Sequence, residues 1–340
     1  MRMNSSAGLR RCPTVTGAMR KCARVLELKK TDLFEVAALI APVFLLIVGG
    51  YWARASGFIA EGFWVPAEKL GYWVLLPSLI IDSLAANTLT PDAGVFALAI
   101  AITIVALSTG LFLWRSLTGW PEVGFGSVHQ GTLRLNGLLA IAVTLSLLGS
   151  QTFALIGVMV ATWIPFSNGL SVYGYVATGS GPKRSGWQIA KAVVTNPMVF
   201  AVIVGVTLNF MGLGPFIDHF FLFELLGRAA LPVGLLAIGA SLELDVLRTP
   251  GPRIASALAL KLLVMPALMA GLCYVLEASP LVSAVAVLCA AMPSSPSGYL
   301  VAKQLGGDPD LMAAIITLQT LVSMVTVTLW GTYAVSLVPL

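Results

Sequence analysis

The stretch Ala291-Met292-Pro293-Ser294-Ser295-Pro296-Ser297-Gly298-Tyr299 interrupts a long apolar segment of the chain. Pro293 and Pro296 lack the backbone N–H that a helix interior needs, so the stretch predicts a break in a helix. If the segment crosses a membrane, non-helical backbone is tolerated there only where it is buried in protein or lines a cavity. A half-helix that begins after the break would favour an anion at its N-terminus. The alternative is an ordinary proline kink sealed by the neighbouring serines.

Composition identifies the surroundings of this segment as a lipid bilayer. Hydrophobic residues make up 58% of the chain and charged residues only 10%, with a mean hydropathy of +0.92. Apolar runs of roughly 20 residues cross the hydrocarbon core as helices, which predicts an all-α integral membrane protein with about ten spans. We place the spans at residues 33–52, 67–88, 94–116, 132–149, 152–177, 187–210, 221–243, 254–276, 281–304 and 309–336.

The chain contains the same unit twice. Pro42 and Pro77 are 35 residues apart, and the pair recurs 155 residues later as Pro197 and Pro232. The same shift superposes Gly50 on Gly205, Gly57 on Gly212 and Leu76 on Leu231. Residues 31–180 and 181–340 are therefore predicted to be two five-helix repeats, and residues 1–30 a basic extension outside the fold. Duplicated halves are typical of secondary transporters.

The first repeat is expected to contain a break that matches the one in span nine. A shift of 158 carries Ser294 back onto Asn136, within Arg134-Leu135-Asn136-Gly137 at the start of span four. Two broken helices related by an axis in the membrane plane would meet near the midplane. Asn136 could then contact a solute, or it could simply anchor two helices by a hydrogen bond.

These considerations select the candidate site. The proposed solute contacts are Asn136, Gly137, Pro293, Ser294, Ser295, Pro296, Ser297 and Gln319. Arg134 and Lys303 are the cations that could attract an anion, although each is also explained as a topology signal. Asn168 and Thr320 are further polar points that could close around the breaks. No residue spacing indicates a metal site or a cofactor.

Several motifs in a fixed order resemble the auxin efflux carrier family, which is similar in plan to the bile acid sodium symporters. The resemblance covers the chain from about residue 36 onward. The matching stretches are Ala41-Pro42 through Gly49-Gly50-Tyr51, Val74-Leu75-Leu76-Pro77, Arg134-Leu135-Asn136, Asn196-Pro197 with Gly205, Leu231-Pro232 through Gly239-Ala240-Ser241-Leu242, Met292-Pro293 through Gly306-Gly307-Asp308, and Ile316 through Leu321.

The resemblance implies two inverted five-helix repeats whose fourth and ninth helices are broken and cross. It also implies a scaffold of spans one, two, six and seven that supports a homodimer, and a transport domain of spans three to five and eight to ten. Family substrates are small organic anions such as carboxylates. The chain departs from the family at Gly137, where a hydroxyl residue is frequent, and span four lacks a crossover proline.

Basic residues predict the orientation, because Lys and Arg near span ends are retained in the cytoplasm. One set of alternate loops and helix ends holds Arg54, Lys69, Arg115, Arg134, Lys183, Arg184, Lys191, Arg248, Arg253, Lys261 and Lys303, and the other set holds Arg228. The C-terminus is therefore predicted to be extracytoplasmic. The basic extension opposes this orientation, which leaves open a later start of translation, a first span held outward, or an inverted topology. Spread in this way, the charges indicate topology and not a nucleic-acid surface.

The function that we expect is alternating-access transport of a small organic anion, most simply outward, in a bacterial inner membrane. A sodium-coupled symporter is the alternative, although no acidic residue is predicted near the breaks. A membrane enzyme or sensor is a weaker alternative. The histidines are His129 and His219, and no hydrolase, metalloprotease or phosphate-binding motif is present.

Overall fold

The computed structural model describes residues 33–86, 92–120, 124–179, 195–214, 221–245 and 251–338. Regular structure in these residues is helical throughout. The helices are α1 (Leu33–Ala55), α2 (Trp64–Leu70), α3 (Leu76–Ala86), α4 (Ala93–Thr118), α5 (Phe125–Leu133), α6 (Gly137–Leu148), α7 (Phe153–Ala177), α8 (Pro197–Phe210), α9 (Leu222–Ala240), α10 (Pro252–Ala259), α11 (Met265–Val275), α12 (Pro280–Ala291), α13 (Ser297–Gln304) and α14 (Pro309–Leu337). The basic extension of residues 1–30 lies outside the described residues.

The helices confirm an all-α integral membrane protein. Seven helical stretches of the described chain are long and apolar enough to cross a membrane, and Pro197–Phe210 and Pro280–Ala291 are shorter apolar helices. A π-helical turn at Gly71–Leu75 joins α2 to α3 without a gap, and another at Leu260–Val264 joins α10 to α11. With the continuous α2–α3 helix, these segments correspond to the ten predicted spans.

Two close backbone contacts relate the repeats. A side-chain carbon added at Gly50 of α1 would overlap the backbone of Leu236 in α9, and one added at Gly205 of α8 would lie 3.3 Å from the Cα of Ile81 in α3. The shift of 155 converts Gly50 into Gly205 and Ile81 into Leu236, so each contact is the image of the other. Two repeats related by a pseudo-twofold axis are expected to show this exchange. Since each repeat has five predicted spans, an odd number, the second repeat is predicted to cross the membrane in the opposite direction to the first.

The most extensive helix contacts of the described chain form two groups. In the first group, α1 packs on α9, and α3 packs on both α8 and α9. In the second group, α4 packs on α7 and α11, and α12 packs on α11 and α14. Small residues at the crossings, such as Gly50 and Gly239, allow the backbones of the first group to approach closely.

The first half of span four was missing from the sequence prediction. The predicted span begins at residue 132, whereas the structure has a complete half-helix, α5, before the break. Ser127, His129, Gln130 and Thr132 lower its hydropathy, yet all are fully buried. The His129 ring forms a 2.8 Å hydrogen bond with Ser108, and the Oε1 of Gln130 accepts one of 2.6 Å from Tyr175, so these polar side chains bond to residues of neighbouring helices.

The sequence places Lys261 within span eight and also counts it among the basic residues that indicate topology. The structure has it in the π-helical turn of span eight, where its side chain is fully buried. It is therefore not a topology signal. The remaining basic residues still favour the same orientation, and the extracytoplasmic C-terminus stays a prediction.

Candidate functional site

The two helix breaks meet at the centre of the site. Span four stops being helical at Arg134 and resumes at Gly137, and span nine is non-helical from Met292 to Pro296. The backbone N–H of Asn136 donates a 2.8 Å hydrogen bond to the carbonyl of Pro293. The structure therefore confirms the predicted breaks in spans four and nine and brings them into direct contact.

Side chains of neighbouring helices satisfy the backbone of the first break. The indole N–H of Trp163 in α7 donates to the carbonyl of Leu133, at 3.0 Å. Asn136 caps α6, because its Oδ1 accepts the N–H of Leu139 at 3.2 Å. These bonds replace those that a continuous helix would have made, which is the condition for irregular backbone in a membrane protein.

Gln319 of α14 links the second break to the first. Its Oε1 accepts the backbone N–H of Ser294 at 2.9 Å, and its Nε2 donates to the carbonyls of Gly131 and Ala257, both at 3.1 Å. The side chain is fully buried. The Gln319 side chain thus connects span nine to spans four and eight. Its hydrogen bonds support the backbone at the two breaks.

A cavity of about 140 Å³ lies against both breaks. Its walls come from α3, α8 and α9 of the first helix group, from α2, which packs on α9, from the broken helices, and from α7 of the second group. The volume is close to that of the roughly 150 Å³ cavity that holds one benzene molecule in an engineered protein. The space therefore suits a small metabolite. A side-chain carbon at Gly137 would meet nothing within 4 Å, so this glycine leaves part of the space open.

The cavity wall carries one cation that has no ion-pair partner among the described residues. Arg134 donates a 2.8 Å hydrogen bond from Nη2 to the Oγ of Ser297. Ser297 Oγ is 3.0 Å from the Oγ of Ser295. The ion pairs seen between described residues are Arg54–Glu61 and Glu224–Arg228, and neither involves Arg134. Most of the hydrogen-bonding capacity of the Arg134 guanidinium is therefore left for a ligand.

Asn136 supplies a second hydrogen-bond donor that is available to a ligand. The side chain is 3% exposed and its Nδ2 has no hydrogen-bond partner in the protein. A buried donor without a partner is costly, so an acceptor is expected to reach it. Helices α6 and α13 both begin beside the cavity, at Gly137 and Ser297. Their N-termini add partial positive charge.

The predicted site residues fall into three sets. Arg134, Asn136, Gly137, Ser295, Pro296 and Ser297 line the cavity. Pro293, Ser294 and Gln319 do not line it, and they form the support behind it. Lys303 is exposed in α13 and is not part of the cavity wall. Of the two further polar points, Asn168 lines the cavity, whereas Thr320 is buried and bonds to the Ile316 carbonyl of its own helix.

Sequence analysis missed the contribution of span two. Glu68 and Tyr72 line the cavity, and the Tyr72 hydroxyl accepts a 2.9 Å hydrogen bond from Asn196. The expectation that no acid lies near the breaks is corrected, because the exposed Glu68 is part of the wall. No group of three or more His, Cys, Asp or Glu in the described ranges could hold a metal ion. Glu68 lies in α2 and Tyr72 in the π-helical turn that follows it, and a regular helical period does not predict such a turn.

Comparison with known proteins gives the site its context. A family model described as membrane transport protein matches residues 183–331. Over 86% of its length the chain is 27% identical to an uncharacterized transporter from Methanothermobacter thermautotrophicus, of which it covers 96%. It is also 26% identical, over 86% of its length, to a putative malonate transporter from Rhizobium meliloti, of which it covers 94%. The chain is thus similar to membrane transport proteins along most of its length.

Proposed function

We propose that this protein is a secondary membrane transporter that carries a small organic anion. The observation that carries the proposal is the Arg134 guanidinium, which faces a central cavity without a carboxylate partner in the described chain. Ionisable groups inside a membrane protein are costly and usually mark the path of a substrate or ion. A carboxylate would supply the missing charge.

The polar groups of the cavity fit one carboxylate. Its oxygens would accept hydrogen bonds from the Arg134 fork and from Nδ2 of Asn136, the buried donor without a partner. Charge-assisted hydrogen bonds of this kind are about twice as strong as neutral ones. Leu138, Ile141 and Ile164 form part of the remaining wall, where the carbon skeleton would lie. The relative with malonate in its name makes small dicarboxylates the first candidates.

The position of the cavity supports alternating access. Walls from both helix groups enclose it, so a displacement of one group against the other would open it to either side of the membrane. We propose that spans one, two, six and seven are the scaffold and that spans three to five and eight to ten move. The resemblance to efflux carriers supports export as the direction.

Transport by purified protein in liposomes tests the proposal. Labelled malonate and succinate are the probes, and melting of the detergent-solubilised protein reports binding, since a ligand that binds the folded state raises its apparent stability. We expect saturable uptake and stabilisation by at least one probe. In Arg134→Gln, both effects should require a much higher concentration of the probe. Uptake by Arg134→Gln at the wild-type rate, or no binding of either anion, would contradict the proposal. A requirement for sodium would favour the symporter alternative.

A further inference from the structure

Lys261 is a buried amine that the proposed site does not use. It lies in the π-helical turn Leu260–Val264, and its relative exposure is 0%. This turn packs against α5, α12 and α14 of the second helix group. The amine is therefore enclosed on several sides by helices that we propose to move together.

The contacts of the amine are weak for a charged group. Nζ is 3.0 Å from the sulfur of Met265 and 5.1 Å from the centroid of the Trp163 ring. A thioether is only a weak acceptor, and the ring face attracts a cation by its quadrupole. In the part of the chain that the structure covers, no carboxylate pairs with Lys261.

Titratable groups on the surrounding helices do not supply a counter-charge. On α12, Cys289 is the titratable group that is near enough to interact electrostatically with the amine. Helix α5 carries His129, whose ring is bonded to Ser108, and α14 carries Asp310 in its first turn. Neither His129 nor Asp310 forms a described hydrogen bond or ion pair with Lys261. An unpaired ammonium is expensive at this depth, whereas the neutral amine is not, so the nitrogen is suited to gain and lose a proton.

Trp163 connects this amine to the proposed anion site. The same ring that lies under Nζ also lines the cavity, and its indole N–H bonds to the Leu133 carbonyl at the first break. An anion in the cavity and a proton on Lys261 would attract each other across one aromatic ring, in surroundings of low dielectric. Each would therefore strengthen the binding of the other by the same factor.

We propose that Lys261 is the proton-binding site that couples anion movement to proton movement, one proton with each anion in the same direction, so that export follows the outward gradient of the anion. This inference rests on the proposed function. The neutral amine takes a proton from the side where the anion enters, and the ammonium returns the proton to water on the side where the anion leaves. No other bond forms or breaks.

Accumulation in liposomes under an imposed pH gradient tests the coupling. Labelled malonate and succinate are the probes, the membrane potential is clamped to zero, and protein-free liposomes correct for leakage. With one proton per anion, we expect the wild type to raise the accumulation ratio about tenfold for an interior one pH unit more alkaline. Lys261→Met should lose this response while still exchanging labelled for unlabelled anion. Lys69→Met, which alters an exposed lysine outside the cavity wall, should keep it.

Two further measurements distinguish a Lys261 that carries a proton from a Lys261 that acts only as a fixed positive charge. Lys261→Arg keeps a permanent cation, and we expect it to exchange anions without a response to the pH gradient. The wild type should take up about one proton for each malonate or succinate bound, measured with an indicator dye in weakly buffered detergent, which does not require any variant to fold. A tenfold response in Lys261→Met or Lys261→Arg, or anion binding without proton uptake, would overturn the inference. Absence of transport by the wild type would instead count against the proposed function.

Discussion

The two helix breaks occupy equivalent places in the repeats but differ in chemistry. The first is three residues long, contains no proline, and presents Arg134 and Asn136 to the cavity. The second spans Met292 to Pro296, contains two prolines, and is held by a side chain from another helix. In the proposed site, the first break supplies a charge and a free donor, whereas the second supplies shape and hydroxyl groups. We therefore propose that recognition depends more on the first break than on the second.

Removing the brace of the second break should have the largest effect. Gln319→Leu loses three hydrogen bonds between helical segments and leaves the Ser294 N–H unpaired. Bonds of this kind contribute roughly 0.6 kcal/mol each in a membrane protein, and an unpaired buried donor costs about 1 kcal/mol more. We expect a loss of about 3 kcal/mol in the free energy of unfolding, measured by denaturant titration in mixed micelles.

The neighbouring residue provides the control for this variant. Thr320→Val also changes a fully buried polar side chain of α14, but Thr320 bonds only to the Ile316 carbonyl of its own helix. Thr320→Val should lower the free energy of unfolding by less than about 1 kcal/mol. Equal destabilisation by the two variants would show that Gln319 does not brace the breaks.

Neutralising the cation of the first break should affect binding and not stability. Arg134→Gln removes the charge that faces the cavity, and a hydrogen bond to a charged group is worth about 2 kcal/mol, which corresponds to about a 30-fold loss of affinity for malonate or succinate. Titration calorimetry of the purified protein measures this loss. Arg228→Gln removes an exposed cation that pairs with Glu224 and lies outside the cavity wall, so its affinity should match the wild type. Similar losses in both variants would indicate a general effect of net charge.

The contrast between the breaks also explains what the sequence could predict. Pro293 and Pro296 stand out in an apolar segment. Because proline has no backbone N–H to donate within a helix, these two residues predict the second break and its bounds. The first break was reached only through the repeat, and the half-helix before it was missed because His129 and Gln130 look like loop residues. Their burial depends on partners such as Ser108 and Tyr175, which are 21 and 45 residues away.

Span two shows the same limit of prediction from sequence. Nothing in its pattern distinguishes Glu68 and Tyr72 from residues at the end of an ordinary span, and only tertiary packing places them at the cavity. Conversely, Ser294 and Gln319 were predicted as solute contacts because their polarity in an apolar segment is conspicuous. In the structure the Gln319 amide satisfies backbone groups, among them the N–H of Ser294, and composition alone does not separate this use from solute contact.

Asn136 can be tested without disturbing the helix that it caps. Ser retains a good N-cap oxygen but lacks the Nδ2 donor, so Asn136→Ser should leave the unfolding midpoint within a few degrees of wild type. The lost donor should weaken malonate or succinate binding about tenfold, which corresponds to about 1.4 kcal/mol. Asn136→Asp keeps the cap equally well but adds a negative charge, and it should bind more weakly than Asn136→Ser. If Asn136→Asp binds as tightly as the wild type, the anion does not lie against this side chain.

The smallest effect is expected from the second break. Ser297→Ala removes the hydroxyl that accepts from Arg134, but Ser295 remains beside it and can take over part of that role. We expect about a threefold loss of affinity, equivalent to less than 1 kcal/mol. A double-mutant cycle with Arg134→Gln then measures whether the repeats act together, because residues in one hydrogen-bond network show coupling energies of about 0.5 kcal/mol or more. If the two losses add within about 0.3 kcal/mol, the Arg134–Ser297 bond does not position the cation, and recognition belongs to the first break alone.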